Sequence, residues 1–254
     1  MRRTANLAAV VPLVAALLVG CSAAGASPAP TNSPGPSTQP SLPPSSPPSS
    51  TQPPVAQVGS PAQAAAVVFA AQHISRMGPL RPDVIGQSDW YEASADATGY
   101  TVTVTVGAGD CQAGCIEKHT WTYHVDVAGT VVLVAEQGDD IGFPHATGTA
   151  DPVTLNVALV AGPTCPVERN PPDPNCAPRP VANTEIDVFD IGGNMVASGV
   201  SGADGLATAQ LPPGAYYVVV PAVAGLMGQA DPLAFAAVGG DNVRLTFTYD
   251  TGIR

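Results

Sequence analysis

Two of the four histidines, an adjacent Trp90-Tyr91 pair, twenty carboxylates and two close-set cysteine pairs are the side chains of this 254-residue chain with the types and spacing for chemistry. The run from His119 to Asp126 alternates in polarity and reads as a β-strand, whose successive side chains face opposite ways. His119 then falls with Trp121, Tyr123 and Val125, and His124 with Thr120, Thr122 and Asp126. A regular strand cannot aim both rings at one ion. A metal site would need cross-strand help from Asp139, Asp140 or His145, so no metal or other cofactor is expected. Cys111/Cys115 and Cys165/Cys176 have CxxxC and Cx10C spacings, neither a common zinc knuckle. The chain has no Gly-x-Ser-x-Gly, His-Glu-x-x-His or phosphate-loop motif, so no catalytic residue is assigned. A glycosidase needs only two carboxylates, but the acids here are scattered and read as solvated turn and strand-face residues. Trp121 and Tyr123 read as core anchors. Trp90, Tyr91, His119 and His124 remain as candidate binding residues.

A fifth cysteine stands apart. Arg2 and Arg3 precede an apolar run from Leu7 to Gly20, about 14 residues and short of the ~20 that a spanning helix needs. The run ends Leu18-Val19-Gly20-Cys21, which resembles the lipobox of bacterial lipoprotein signal peptides. The resemblance implies cleavage before Cys21, a lipid on Cys21, and attachment to the extracytoplasmic face of a cell membrane. Outside the cytoplasm, the four remaining cysteines are expected to pair as disulfides. Of the three possible pairings, the local one, Cys111–Cys115 and Cys165–Cys176, is preferred.

Composition then divides the chain. Residues 22–57 carry no charge and are mostly Pro, Ser, Thr, Ala, Gln and Gly. Such a segment cannot bury enough apolar surface to fold, and its prolines favour an extended tether. Residues 1–20 read as the signal peptide and 21–57 as lipidated cysteine plus tether. The remainder suits two domains, 58–146 and 151–254. Net charge is −11 and Lys118 is the only lysine, without a basic run, so nucleic acid is not an expected partner.

In residues 58–146, Ser60-Pro61-Ala62-Gln63 is a helix start with a capping-box glutamine. The helix is expected to run to about Met77, burying Val67, Val68, Ala71 and Ile74. Strands are expected at Trp90 to Ala93, Thr101 to Val106, His119 to Val127 and Val131 to Glu136, with the CxxxC turn stapling a hairpin tip. The segment from Gly109-Asp110-Cys111 to Glu136-Gln137-Gly138-Asp139 resembles a stretch of uncharacterised actinobacterial lipoproteins.

Residues 151–254 alternate through about seven short strands with Gly, Pro and Asp turns between them. Val181 to Val188, the Gly202-Ala203-Asp204-Gly205 hairpin turn and Leu211-Pro212-Pro213-Gly214-Ala215-Tyr216 resemble the carboxypeptidase regulatory-like and transthyretin-like family. The fold class expected overall is mainly β: a small α+β domain, one helix on an antiparallel sheet, followed by an immunoglobulin-like or transthyretin-like β-sandwich. This superfold hosts many roles. The function expected is a surface-anchored, non-catalytic binding or scaffolding module with an envelope protein or glycan partner. The competing readings are a small-ligand or metal carrier and a hydrolase with an unrecognised carboxylate pair.

Overall fold

The first element is set up residue by residue. Ser60 caps α1 (Pro61–Ala71) by accepting from the Gln63 N–H at 3.1 Å, and Pro61 sits where no N–H is needed. The Gln63 side chain reaches back to the Gly59 N–H at 2.8 Å, one residue before the position a capping box uses. The helix ends at Ala71, short of the expected Met77. His73 adopts a left-handed conformation (φ 54°), and the Ile74 and His73 N–H groups turn back to the Phe69 and Ala70 carbonyls, a Schellman stop. That turn frees Ile74 and Met77 to be buried off the helix axis.

The computed structural model describes residues 57–81, 84–143, 145–167 and 173–254, which belong to one compact unit. The Leu18-Val19-Gly20-Cys21 motif and nearly all of the proline-rich stretch lie outside them. Among the described residues the protein is mainly β, with one α-helix and twelve strands.

Four strands form an antiparallel sheet in chain order: β1 (Asp89–Ala95), β2 (Gly99–Ala108), β3 (Glu117–Asp126) and β4 (Val131–Gly138). Its inner face carries Tyr91, Val102, Val104, Trp121, Tyr123 and Val125, all buried. Cys111 and Cys115 are bridged at the β2–β3 tip. The other eight strands are β5 (Val153–Gly162), β6 (Arg179–Pro180), β7 (Glu185–Asp190), β8 (Met195–Val200), β9 (Leu206–Leu211), β10 (Gly214–Val219), β11 (Leu233–Ala237) and β12 (Asn242–Asp250). They make a second sheet of order β11-β10-β7-β8 and a third in which β5 pairs with β12, β6 and β9. The Cys165–Cys176 bridge closes the loop between β5 and β6.

The second and third sheets face each other across a core of Val153, Leu155, Val157, Leu159, Ile186, Val188, Tyr216, Val218, Phe235, Leu245, Phe247 and Tyr249. The second sheet is also covered on its other face. Tyr217, Ala234 and Ala236 pack with α1 and the first sheet in a separate core. The layer order is therefore third sheet, second sheet, helix, first sheet. α1 is enclosed from both sides. Ala62, Ala64, Ala65, Ala66, Val68 and Phe69 are buried, whereas Ala71, expected in the buried stripe, is exposed and Val67 only half-buried. A helix apolar nearly all round is one covered nearly all round.

The turn at Asp204-Gly205 departs from the hairpin expected of it. Its hydrogen bonds resemble a hairpin tip, with Gly205 N–H on the Gly202 carbonyl and Gly202 N–H on the Leu206 carbonyl, each at 2.9 Å. The strands then part: β8 stays in the second sheet and β9 pairs with β5 in the third. Gly205 sits at φ 73°, where a Cβ would stand 2.5 Å from the Leu159 carbonyl oxygen, so glycine is required for the crossing.

Candidate binding cleft

The four candidate residues are placed by alternation on two faces of the first sheet. Trp90 and His124 take the outer face, Trp90 half-buried opposite Thr105. The Nδ1 of His124 lies 3.3 Å from Asp96 Oδ2, and its Nε2 lies 3.5 Å from Thr98 Oγ1. Asp96 also accepts from the Thr98 N–H and the Thr101 hydroxyl, and the backbone bond at Thr98 leads in lowering its pKa to about 2.

Tyr91 and His119 take the inner face. The Tyr91 ring meets Phe69 edge-on at 5.2 Å, and its hydroxyl accepts from the Ala234 N–H at 2.6 Å. Burial pushes this phenol to about 12. His119 stacks on Trp121 at 4.1 Å, which in turn meets Phe143 at 4.1 Å. Its Nδ1 contacts the Asp139 carbonyl, and Nε2 is 3.2 Å from Glu136 Oε1 without the alignment of a hydrogen bond. These rings sit in or against the core. The structure does not bring the four residues to one site.

The cleft that the fold does build lies beside the segment joining the helix to β1. Met77 pairs with Ala236 of β11 through both backbone bonds, at 3.1 and 3.0 Å, and the Gly78 carbonyl accepts from Tyr91 of β1 at 3.1 Å. Residues 77–79 thus form a rung between the edges of the first and second sheets. The Gln87 amide holds the following loop, donating to the Pro79 and Asp89 carbonyls at 2.9 Å each and accepting from the Arg81 N–H at 2.8 Å.

Against this rung opens a cleft of about 470 Å³, whose wall includes Arg76, Arg81, Gln87, Asp89, Asp241 and Arg244. Its size is within the usual range for small-molecule sites. Arg76 forks onto Asp241, with Nε at 3.0 and 2.9 Å and a terminal nitrogen at 2.6 Å. Each holds the other charged: the Arg76 pKa is raised, and that of Asp241 is lowered. Asp89 is half-buried, and burial raises its pKa despite a hydrogen bond from the Ser88 hydroxyl at 3.0 Å. The guanidinium groups of Arg81 and Arg244 have no hydrogen-bond or ion-pair partner among the described residues. Both arginines also line an adjoining groove of about 380 Å³ with Leu80, Leu233, Thr246 and Thr248.

Sequence reasoning passed over these arginines because they form no run. Arg244 faces outward from an alternating strand, and Arg81 follows the helix by ten residues. The available signal was scarcity: in a chain with one lysine and eight arginines, each cation stands out.

No protein-family model matches the chain, and no curated protein matches it either. Among solved structures, the Bacillus anthracis TIE protein aligns at 14% identity and a TM-score of 0.30, over 69% of this chain and 34% of its own. This chain thus spans about a third of that protein's length.

Proposed function

We propose that the protein is a lipid-anchored, non-catalytic binding module on the extracytoplasmic face of a bacterial membrane. Signal cleavage after Leu18-Val19-Gly20 leaves Cys21 to carry the lipid, and the proline-rich stretch holds the folded unit off the surface. Two or more acyl chains at about 0.8 kcal/mol per buried methylene make such an anchor stable. The partner is an envelope protein or glycan, and no nucleic acid is needed.

One observation carries the binding part of this reading: the cleft beside the 77–79 rung, where residues far apart in sequence present polar groups on a frame of paired backbone. The four cysteines of the folded part are taken up in disulfides, so none is free to act as a nucleophile. The final eight strands fit a transthyretin-like or immunoglobulin-like sandwich of the carboxypeptidase regulatory-like kind. The Leu-Pro-Pro-Gly-x-Tyr motif supports this, since the Tyr216 hydroxyl donates to the Pro212 carbonyl at 3.0 Å and fixes the corner entering β10.

Membrane fractionation of the full chain and of Cys21→Ala tests the anchor. The native chain is expected in the pellet and the variant in the soluble fraction. Retention of the variant in the pellet overturns the anchor. Crosslinking on intact cells tests the module, with specific envelope adducts expected. Failure to recover any adduct removes the binding reading.

A further inference from the structure

We infer that the cleft beside the 77–79 rung binds a small hydroxyl-bearing anion, a sugar phosphate or sugar acid, through Arg81 and Arg244. This deepens the binding reading above and rests on it.

The argument begins with charge. Arg76 and Asp241 cancel one another through a forked ion pair. Among the described residues of the wall, Asp89 is then the one carboxylate not taken up by an arginine. Elsewhere the chain is acidic, with a net charge of −11. A guanidinium left without a partner offers a planar fork matched to phosphate or carboxylate oxygens. Both arginines border the cleft and the adjoining groove, so each of the two spaces has two unpaired cationic residues in its wall. Leu80 and Pro79 line the adjoining groove with them and offer apolar surface to the body of a ligand.

The acidity of the remaining surface decides the size of the ligand. A long polyanion would run from this positive spot onto repelling carboxylates. A terminal or single anionic group would not. Asp89 adds the hydroxyl preference. A carboxylate in a cleft with cationic walls repels a second anion but accepts hydrogen bonds from hydroxyl groups.

Titration of the full chain in detergent with glucose 6-phosphate, glucuronate, inorganic phosphate and glucose tests this, read by calorimetry. Glucose 6-phosphate or glucuronate is expected to bind, with uncharged glucose at least about tenfold weaker and added salt weakening the anions. Preference between the two anions separates a phosphate source from a carboxylate source. R81A/R244A is expected to lose about tenfold or more in affinity. R179A, an exposed arginine on β6 outside the cleft, is expected to bind as the native chain does. Arg81 and Arg244 are both exposed, so a melting temperature equal to the native value checks that the double variant is folded. No binding of either sugar anion, or equal binding by R81A/R244A, overturns the inference. If neither sugar anion binds while the native chain still yields envelope adducts, the anion site is wrong and the binding module stands. If the native chain also yields no adducts, the broader reading falls with it.

Discussion

Tyr91 shows how a single hydroxyl can tie two parts of a molecule together. It stands on β1, and its oxygen satisfies the buried Ala234 N–H of β11. Replacing it with Phe keeps the edge-on contact with Phe69 and leaves that N–H unmet, at a cost of about 1–3 kcal/mol. Thermal unfolding of Tyr91→Phe is expected to show this loss, and an unchanged melting temperature would contradict the role. Asp96 makes a second prediction at this scale. Its folded pKa of about 2 is below the ordinary value near 3.9. A depressed carboxylate adds stability above its unfolded pKa and loses it as pH falls through the folded one. Melting temperature is therefore expected to drop between about pH 4 and pH 2. Asp96→Asn is expected to melt lower than the native chain at neutral pH and to show a shallower acid slope. At the same scale, the sequence revealed the inward company of His119 with Trp121 and Tyr123, because alternation is local. It named Asp139 only as a possible cross-strand carboxylate, whereas the contact His119 makes is with the Asp139 backbone carbonyl just past the end of β4.

The element that organises the rest is α1. Its alanines let it fit between two sheets, and on the second sheet it meets the small residues Ala234 and Ala236. Enlarging this contact should force the layers apart. Ala234→Leu is expected to destabilise by about 1–3 kcal/mol through overpacking, measured by denaturant midpoint. A neutral result would mean the helix is held less closely than described. The start of α1 was legible in Ser60-Pro61, since caps are local chemistry. Its end is not legible, because a left-handed histidine at position 73 has no sequence signature comparable to glycine. The strands were legible almost throughout, from Val153-Thr154-Leu155 to Leu245-Thr246-Phe247. The two-sided burial of the second sheet was written more faintly. Tyr216-Tyr217-Val218 and Leu233-Ala234-Phe235-Ala236 are continuous apolar runs rather than alternating ones, as expected of strands covered on both faces. Tyr216 accordingly faces one core and Tyr217 the other.

At the scale of the molecule, the two segments distinguished by sequence share a core and a rung. Phe69 from the first and Tyr217 from the second are members of one cluster. The Gln63 amide adds a bond to the Ile191 carbonyl at 3.3 Å, and Arg76 adds its fork to Asp241. Calorimetry is expected to show one cooperative transition for residues 58–254, with calorimetric and van't Hoff enthalpies equal. Two resolved transitions would refute the joint core. None of these links was legible in the sequence, because each joins positions separated by most of the folded chain. The candidate cleft shares that origin. Arg81 and Arg244 become neighbours of one space only when β12 is laid beside the 77–79 rung.

Val58 has a mechanical consequence. Its N–H is held by the Val127 carbonyl at 3.0 Å, its carbonyl accepts from the Tyr100 hydroxyl at 3.3 Å, and its side chain is in the core. A pull applied through the residues before it reaches this clamp ahead of the helix cap. The load passes sideways into β2 and the β3–β4 turn, and α1 is spared until the clamp yields. A protein strained through its N-terminal end would then give way first at Val58, losing that one side chain from the first core before the helix or the arginine cleft is disturbed.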